Sequence, residues 1–269
     1  MKETSAMATK RRATPTQALP SPRVFRDVAG VDAADSSLTK GERTRSRLLQ
    51  AAFDVFREDS FHAARVSDIC KAAEISQGTF YIYFTDKDAI AKALMEMLLE
   101  RLTRHVLDGP HFDDPFDSIL ESNRRYADFF NQGGQFNRAV LQILDALPEV
   151  RELSDKVNKA VAARVSEGMK RRMPASAAHP KPRLAMAYTM LGMIDSIYIS
   201  YFSGDASPMR ACFASTAEVV EFASFVWYRA LFGTNPPRRA SSELLSALDG
   251  FVMPPASLTL RSRKNSGGA

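Results

Sequence analysis

The stretch that decides the fold is VSDICKAAEISQGTFYIYFTDK, residues 66–87. Its apolar residues at 66, 69, 70 and 73 recur at helical spacing and predict a short helix. A turn at 74–76 follows, and Ser76 is placed to cap a second short helix over about 77–83. Two short helices joined by a three- or four-residue turn form a helix-turn-helix, whose second helix fits the major groove of B-DNA.

The segments on either side of this stretch also have helical patterns. Thr39 and Glu42 form a capping box, and apolar residues then predict a helix over about 40–57. Thr85 or Asp86 can cap a long fourth helix. Between turn signals, further helices are expected at about 115–131, 136–146, 148–172, 183–202 and 209–233.

Without alternating strand pairs, the pattern predicts an all-α fold. An N-terminal three-helix domain with the helix-turn-helix would be joined by a long helix to an all-helical C-terminal domain. The expected division is a disordered, proline-containing arm at 1–38, the helix-turn-helix domain at 39–88 and the helical domain at 89–233. Residues 234–269 are expected to be a mostly unstructured tail with a short helix near 242–250.

Composition excludes several classes of protein. The chain has 269 residues, of which 45% are hydrophobic and 25% charged, as in a soluble globular protein. No apolar run reaches the roughly 18 residues of a membrane span, and the N-terminus lacks the apolar centre of a secretory signal. A cytoplasmic, nucleoid-associated protein without a membrane partner is therefore expected.

The sequence offers no pattern for catalysis. Cys70 and Cys212 are the two cysteines, and the four histidines lack paired metal-ligand spacing, so we expect no metal site. A nucleophile elbow, a phosphate-cradling glycine loop and a dinucleotide fingerprint are all missing. The sequence therefore predicts a protein that is not an enzyme and holds no cofactor.

Basic residues crowd the start of the first predicted helix. Lys40, Arg43, Arg45 and Arg47 lie within eight positions, offset by Glu42. Such a cluster can neutralise phosphates even where the domain as a whole is nearly neutral. A solvated helix face explains the same charges equally well.

At residues 66–87 the sequence strongly resembles the TetR family of transcriptional regulators. The similarity runs from about 42 to 95, and its most specific part is the string SQGTFYIYF at 76–84. The resemblance implies base contacts from Gln77 and Gly78, with Ser67 reaching in from the preceding helix. It also implies contacts with the DNA phosphates from Thr79, Tyr83 and Lys87, and a contact from Tyr81 with either the DNA backbone or a base. Lys40 and Arg43 of the basic cluster are expected to contact phosphates as well.

Three positions depart from the family pattern. Arg65 replaces a capping Thr or Ser, so either the second helix begins less firmly or Arg65 itself contacts a phosphate. Glu74 stands where glycine is common, which predicts a strained backbone in the turn. Ile82 could contact a thymine methyl group.

The resemblance also implies functions for the C-terminal helices. It places a homodimer interface on 183–202 and 209–233, which are apolar around nearly their whole circumference and must be buried on several sides. Burial inside one large monomer is the alternative. Asp195 interrupts this apolar run, so it should either pair with a basic or hydroxyl group or lie in a polar cleft.

Ligand-responsive members of the family hold a small apolar molecule in this domain. The residues predicted to line such a cavity are Phe129, Phe130, Phe136, Leu144, Met169, Met190, Met193, Tyr198 and Trp227. Ordinary core packing is the alternative for each of them.

The expected function is that of a homodimeric repressor, bound to a palindromic operator in double-stranded DNA and released by a small hydrophobic effector. Effector binding would act through the fourth helix. An architectural or nucleoid-associated DNA-binding protein without an effector is the alternative, because the basic tails favour non-specific binding.

Overall fold

The computed structural model describes residues 39–110, 112–202, 207–237 and 246–251. The expected N-terminal arm, most of the C-terminal tail and the first part of the helix expected near 242–250 lie outside the described residues.

Within these ranges the chain is helical and contains no strand. The all-α expectation is confirmed. Two short 3-10 segments, Pro174–Ala178 and Leu248–Phe251, accompany the α-helices. The α-helices are α1 (Lys40–Asp59), α2 (Val66–Ala73), α3 (Gln77–Tyr83), α4 (Lys87–Leu107), α5 (Pro115–Gly133), α6 (Phe136–Ala146), α7 (Pro148–Arg172), α8 (Pro180–Phe202), α9 (Pro208–Ala211) and α10 (Thr216–Phe232).

The N-terminal helices share a tightly packed core. Phe56 of α1, Ile69 of α2, Phe80 of α3 and Ile90 of α4 have no exposed surface. The expected capping box at the start of α1 is present, because Thr39 Oγ1 accepts from the backbone N–H of Glu42 at 3.2 Å and the Glu42 carboxylate accepts from Thr39 N at 2.8 Å. Helices too short to be stable alone are thus held by one shared apolar centre.

Two predicted helices differ from the observed ones. The helix expected at 183–202 begins at Pro180, because prolines in a first turn occupy positions whose N–H groups need no helical partner. The helix expected at 209–233 is divided into α9 and α10. Ser215 caps α10 by accepting from Glu218 N at 3.2 Å, so a new helix begins there.

The C-terminal helices pack as antiparallel pairs. Asn123 of α5 donates to Ser224 Oγ of α10 at 3.0 Å, and both side chains are buried. On the other side of the domain, the buried Arg183 of α8 donates to Ser166 Oγ of α7 at 3.0 Å. These two contacts fix the register of α5 against α10 and of α7 against α8.

The two groups of helices meet where α6 packs on α1. The rings of Phe53 and Phe136 lie 4.5 Å apart. Gln142 Oε1 accepts from the backbone N–H groups of Phe61 at 2.9 Å and His62 at 3.4 Å, in the turn between α1 and α2. Lys87 Nζ, at the start of α4, donates to the carbonyl groups of the same two residues at 2.9 and 3.4 Å. One turn is therefore held by both α4 and α6.

Replacing Gln142 tests this junction. Gln142→Ala removes the acceptor from two backbone donors, so the free energy of unfolding should fall by about 1 kcal/mol. Gln142→Glu keeps an acceptor oxygen beside Lys87 and should lose less. Urea unfolding followed by circular dichroism gives both values, and equal losses in the two variants would contradict the role of the hydrogen bonds.

Candidate DNA-binding surface and interior cavity

The helix α3 presents its polar face to solvent. Ser76 Oγ accepts from Thr79 N at 3.2 Å and caps the helix as expected. Phe80 is fully buried, whereas the exposed fraction is 54% for Tyr81 and 77% for Ile82. A Cβ atom added at Gly78 would meet only Ser76 Oγ, 4.0 Å away. This face is therefore open to a close approach by another molecule.

The start of α1 lies beside the end of α3. A Cβ atom built on Gly41 would lie 3.6 Å from the Tyr83 hydroxyl, so the two helix ends are neighbours. Lys40 is exposed and Arg43 is half-buried at this point. Exposed Gln77 begins α3, and exposed Ser67 lies in the first turn of α2. The structure thus places Lys40 and Arg43 next to the recognition helix.

The turn between α2 and α3 has the strained backbone that its sequence predicts. Glu74 has a φ of 53° and a ψ of 45°, in the left-handed region. Arg47 Nη2 donates to the Ala73 carbonyl group at 2.6 Å and lies 3.9 Å from the Glu74 carboxylate. One member of the basic cluster is therefore used to hold the turn.

The hydrogen bonds made at Arg65 and Lys87 affect whether these two residues can contact DNA. Arg65 caps α2 without a side-chain hydrogen bond to the helix, as expected, although Asp68 accepts from Arg65 N at 3.1 Å. Lys87 Nζ binds backbone carbonyl groups and lies 4.6 Å above the centre of the Phe61 ring. A phosphate contact from Lys87 stays a prediction and would have to share the ammonium group with these partners.

The C-terminal helices enclose a cavity of about 700 Å³. Helices α4, α5, α7, α8 and α10 all contribute to its wall. The apolar part of the wall consists of side chains that include Leu102, Val106, Ile119, Val157, Val161, Val165, Leu191, Ile194 and Leu231. Periodicity did not indicate that the valines of α7 line a cavity, because they are scattered among charged residues.

Only part of the predicted effector site lines this cavity. Met169 and Trp227 belong to the wall. The wall does not include Phe129, Phe130, Phe136, Leu144, Met190, Met193 and Tyr198. The alternative of core packing applies to these residues. The ring centre of Phe130, for example, lies 5.9 Å from the ring centres of Phe129 and Tyr198. These aromatic side chains therefore pack against one another between the helices.

Asp195 satisfies both alternatives that its sequence position left open. Its Oδ1 atom accepts from the Tyr126 hydroxyl at 2.6 Å, and both residues belong to the cavity wall. Burial raises the pKa of Asp195, although the Tyr126 hydrogen bond opposes this shift. Burial and the nearby Asp195 carboxylate also raise the pKa of Tyr126. Asp195 thus supplies one of the three carboxyl groups of the cavity wall, with Asp113 and Glu121.

Other charged groups of the wall are paired or exposed. Glu121 accepts from Arg124 and Arg125 at 2.8 and 2.9 Å, and Arg125 also donates to the His105 carbonyl group at 2.7 Å. Arg172 donates to the Phe112 carbonyl group and to Ser118 Oγ, both at 2.9 Å.

No helix in the described ranges is long and apolar enough to cross a bilayer. Among the same residues, no cluster of three or more His, Cys, Asp or Glu could hold a metal ion. An exposed recognition helix in a compact helical domain, attached to a second helical domain, defines a helix-turn-helix DNA-binding protein.

Comparison with known proteins finds similarity to one family in the N-terminal part of the chain. Residues 48–94 match the family described as "Bacterial regulatory proteins, tetR family". The chain is 39% identical over 83 residues to the HTH-type transcriptional regulator UidR of Escherichia coli K12. This alignment covers 30% of the present chain and 42% of UidR. The chain therefore aligns with less than half of that relative's length.

Two longer similarities extend beyond the DNA-binding domain. The HTH-type transcriptional regulator EthR of Mycolicibacterium smegmatis is 27% identical over 214 residues, which are 75% of this chain and 92% of EthR. A solved structure from Syntrophomonas wolfei, described as a putative TetR-family transcriptional regulator, shares the fold with a TM-score of 0.56 at 16% identity. The match covers 74% of this chain and all of that one. Together these similarities support a TetR-family regulator with an N-terminal helix-turn-helix DNA-binding domain.

Asp195, which is half-buried, predicts a pH-dependent stability. Because its pKa is raised in the folded state, the folded protein binds this proton more tightly than the unfolded chain, and the ionised carboxylate destabilises the fold. This cost is absent below the unfolded pKa and grows as the pH rises through the folded pKa. Asp195→Asn should therefore be more stable than the wild type at neutral pH, and the difference should vanish toward about pH 4.

Thermal unfolding of both proteins across this pH range measures the effect. Asp113→Asn makes the same chemical change at an exposed position and is the control for the substitution itself. A constant difference between Asp195→Asn and the wild type at every pH would contradict the prediction.

Proposed function

We propose that the protein is a sequence-specific transcriptional regulator in the bacterial cytoplasm: a homodimeric repressor that leaves its operator when a small hydrophobic effector enters the cavity. The observation that carries the proposal is that one helix, α4, belongs to both functional parts. It begins beside the recognition domain and ends in the wall of a cavity of about 700 Å³.

The exposed face of α3 supports sequence-specific DNA binding. Gln77 can form a bidentate pair with adenine, and the exposed Ile82 suits a thymine methyl group. Thr79, Tyr81 and Tyr83 occur on the same short helix and would, with Lys40 and Arg43 from α1, contact phosphates.

The path of α4 supports regulation by a ligand. Leu94 and Leu98 in its middle are fully buried, so the helix cannot shift without moving its neighbours. Leu102, Thr103 and Val106, further along, line the cavity. A ligand that favours one position of α4 would change the distance between two recognition helices and thereby the affinity for DNA.

The outer face of α8 supports dimerisation. Leu184 and Tyr188 lie four residues apart on the same side of α8, and their exposed fractions are 38% and 42%. Met186, on the opposite side of the helix, is 37% exposed. Exposed apolar surface is typical of protein interfaces. A two-fold dimer through α8 and α10 would present two recognition helices to the two halves of a palindromic operator.

Selection of genomic and random DNA fragments by the purified protein, at near-physiological salt, tests the proposal. An inverted repeat bound far more tightly than scrambled DNA is expected. Uniform and steeply salt-dependent binding would instead favour an architectural protein. An effector that binds the protein must then lower its affinity for the selected operator. An unchanged affinity would overturn the proposed coupling between the cavity and DNA binding.

Substitutions on the DNA-binding surface separate base contacts from phosphate contacts. Gln77→Ala should cost about 1–3 kcal/mol on the selected operator and little on scrambled DNA. Lys40→Ala should weaken binding to the selected operator and to scrambled DNA. It should also lower the slope of log affinity against log salt concentration by about 1. Lys159→Ala removes the same charge from an exposed position on α7 and is the control. Loss of affinity on both DNAs in Gln77→Ala would contradict its proposed base contact.

A further inference from the structure

We infer that the cavity selects a cationic ligand: an apolar body that carries a protonated amine, bound by the carboxylate of Asp195. This inference rests on the proposed effector cavity and specifies the chemistry of its occupant. The residues that carry it are Asp195 and Tyr126, together with Trp227 in the same wall.

The carboxylate of Asp195 has binding capacity that the fold does not use. Among the described residues its hydrogen-bond partner is the Tyr126 hydroxyl, which donates to Oδ1. The second carboxylate oxygen, Oδ2, accepts no hydrogen bond from the described residues, and Asp195 lines the cavity. A carboxylate accepts several hydrogen bonds when ionised, and an ammonium group supplies only donors. A protonated amine therefore complements the group that the protein presents.

Charge favours an amine over a neutral or anionic head group. The carboxylate lies in largely apolar surroundings, which disfavour its ionised form. A cation would offset that penalty, an alcohol would add a hydrogen bond without a counter-charge, and an anion would be repelled. The aromatic side chains of Tyr126 and Trp227 provide further favourable surfaces for a cation, since tryptophan and tyrosine faces attract positive charge.

The arginines of the wall do not cancel this preference. Arg125 is paired with Glu121, and Arg172 binds Phe112 and Ser118. Arg164 and Arg171 are exposed, as is Asp113. Charges in solvent are screened over a Debye length of about 8–10 Å.

The helices place Asp195 far from the exposed arginines at the end of α7. The Arg183–Ser166 hydrogen bond joins the beginning of α8 to the last part of α7. Asp195 follows Arg183 by about 18 Å of helix axis, at 1.5 Å per residue. Arg171 and Arg172 lie beyond Ser166 in the opposite direction, so these arginines and Asp195 lie toward opposite ends of the cavity.

The test compares three ligands that differ only in the head group: octylamine, 1-octanol and octanoate. Trp227 is the single tryptophan of the chain, so its fluorescence reports directly on the cavity of the full-length protein. We expect octylamine to bind about tenfold more tightly than octanol, as one partly buried charge pair allows, and octanoate to bind most weakly. Equal affinities, or preference for octanoate, would overturn the inference.

Two variants locate the selectivity. Asp195→Asn keeps the shape of the side chain and should abolish the advantage of octylamine over octanol, whereas octanol binding should persist. Asp155→Asn, at an exposed position on α7 outside the cavity wall, should keep the wild-type preference. An undiminished amine preference in Asp195→Asn would overturn the assignment. The wild-type ligand series needs no variant, so misfolding of Asp195→Asn leaves the inference testable.

Separate DNA-binding measurements distinguish this inference from the proposed function. If octylamine binds selectively but operator affinity is unchanged, the ligand chemistry holds and coupling by this ligand fails. If the protein binds its operator but binds octylamine, octanol and octanoate equally well, the proposed DNA recognition holds and the inferred cationic site is refuted.

Discussion

A recognition helix of seven residues cannot be stable by itself, and the DNA-binding domain is organised around holding α3 in place. Phe80 supplies the essential contact, because its fully buried ring anchors the helix in the shared core of α1, α2 and α4. The cap from Ser76 stabilises the first turn of the helix. With these constraints met on the inner face, the outer face is free to carry Gln77 and Ile82.

The same constraint explains the connection between the two domains. The turn after α1 receives hydrogen bonds from Lys87 and offers its own to Gln142, so α4 and α6 act on one short segment of backbone. The α4 helix then continues through the core to the cavity wall. A ligand between the C-terminal helices and DNA at α3 would thus share a packed helix and a hydrogen-bonded turn, both of which resist independent movement.

Local patterns were sufficient for most of the helices. Thr39 and Ser76 cap the helices that their positions predicted, and Asp86 caps α4 by accepting from Ala89 N at 2.7 Å. The division of the last long helix was missed, because its apolar pattern continues on both sides of the break at 212–215. Periodicity reports which residues are apolar and does not report where a backbone changes direction.

Local patterns are enough to predict the all-α class, the helix-turn-helix and the outward face of α3, because these depend on residues close together in the chain. The identity of the apolar residues around the cavity depends instead on how the helices pack. Phe130 and Tyr198 were as plausible as Trp227 by composition, yet only Trp227 lies in the wall. The position of Asp195 beside Tyr126, 69 residues earlier, likewise depends on the packing of α5 against α8. Contacts between distant segments follow from helix packing and register, which no local pattern encodes.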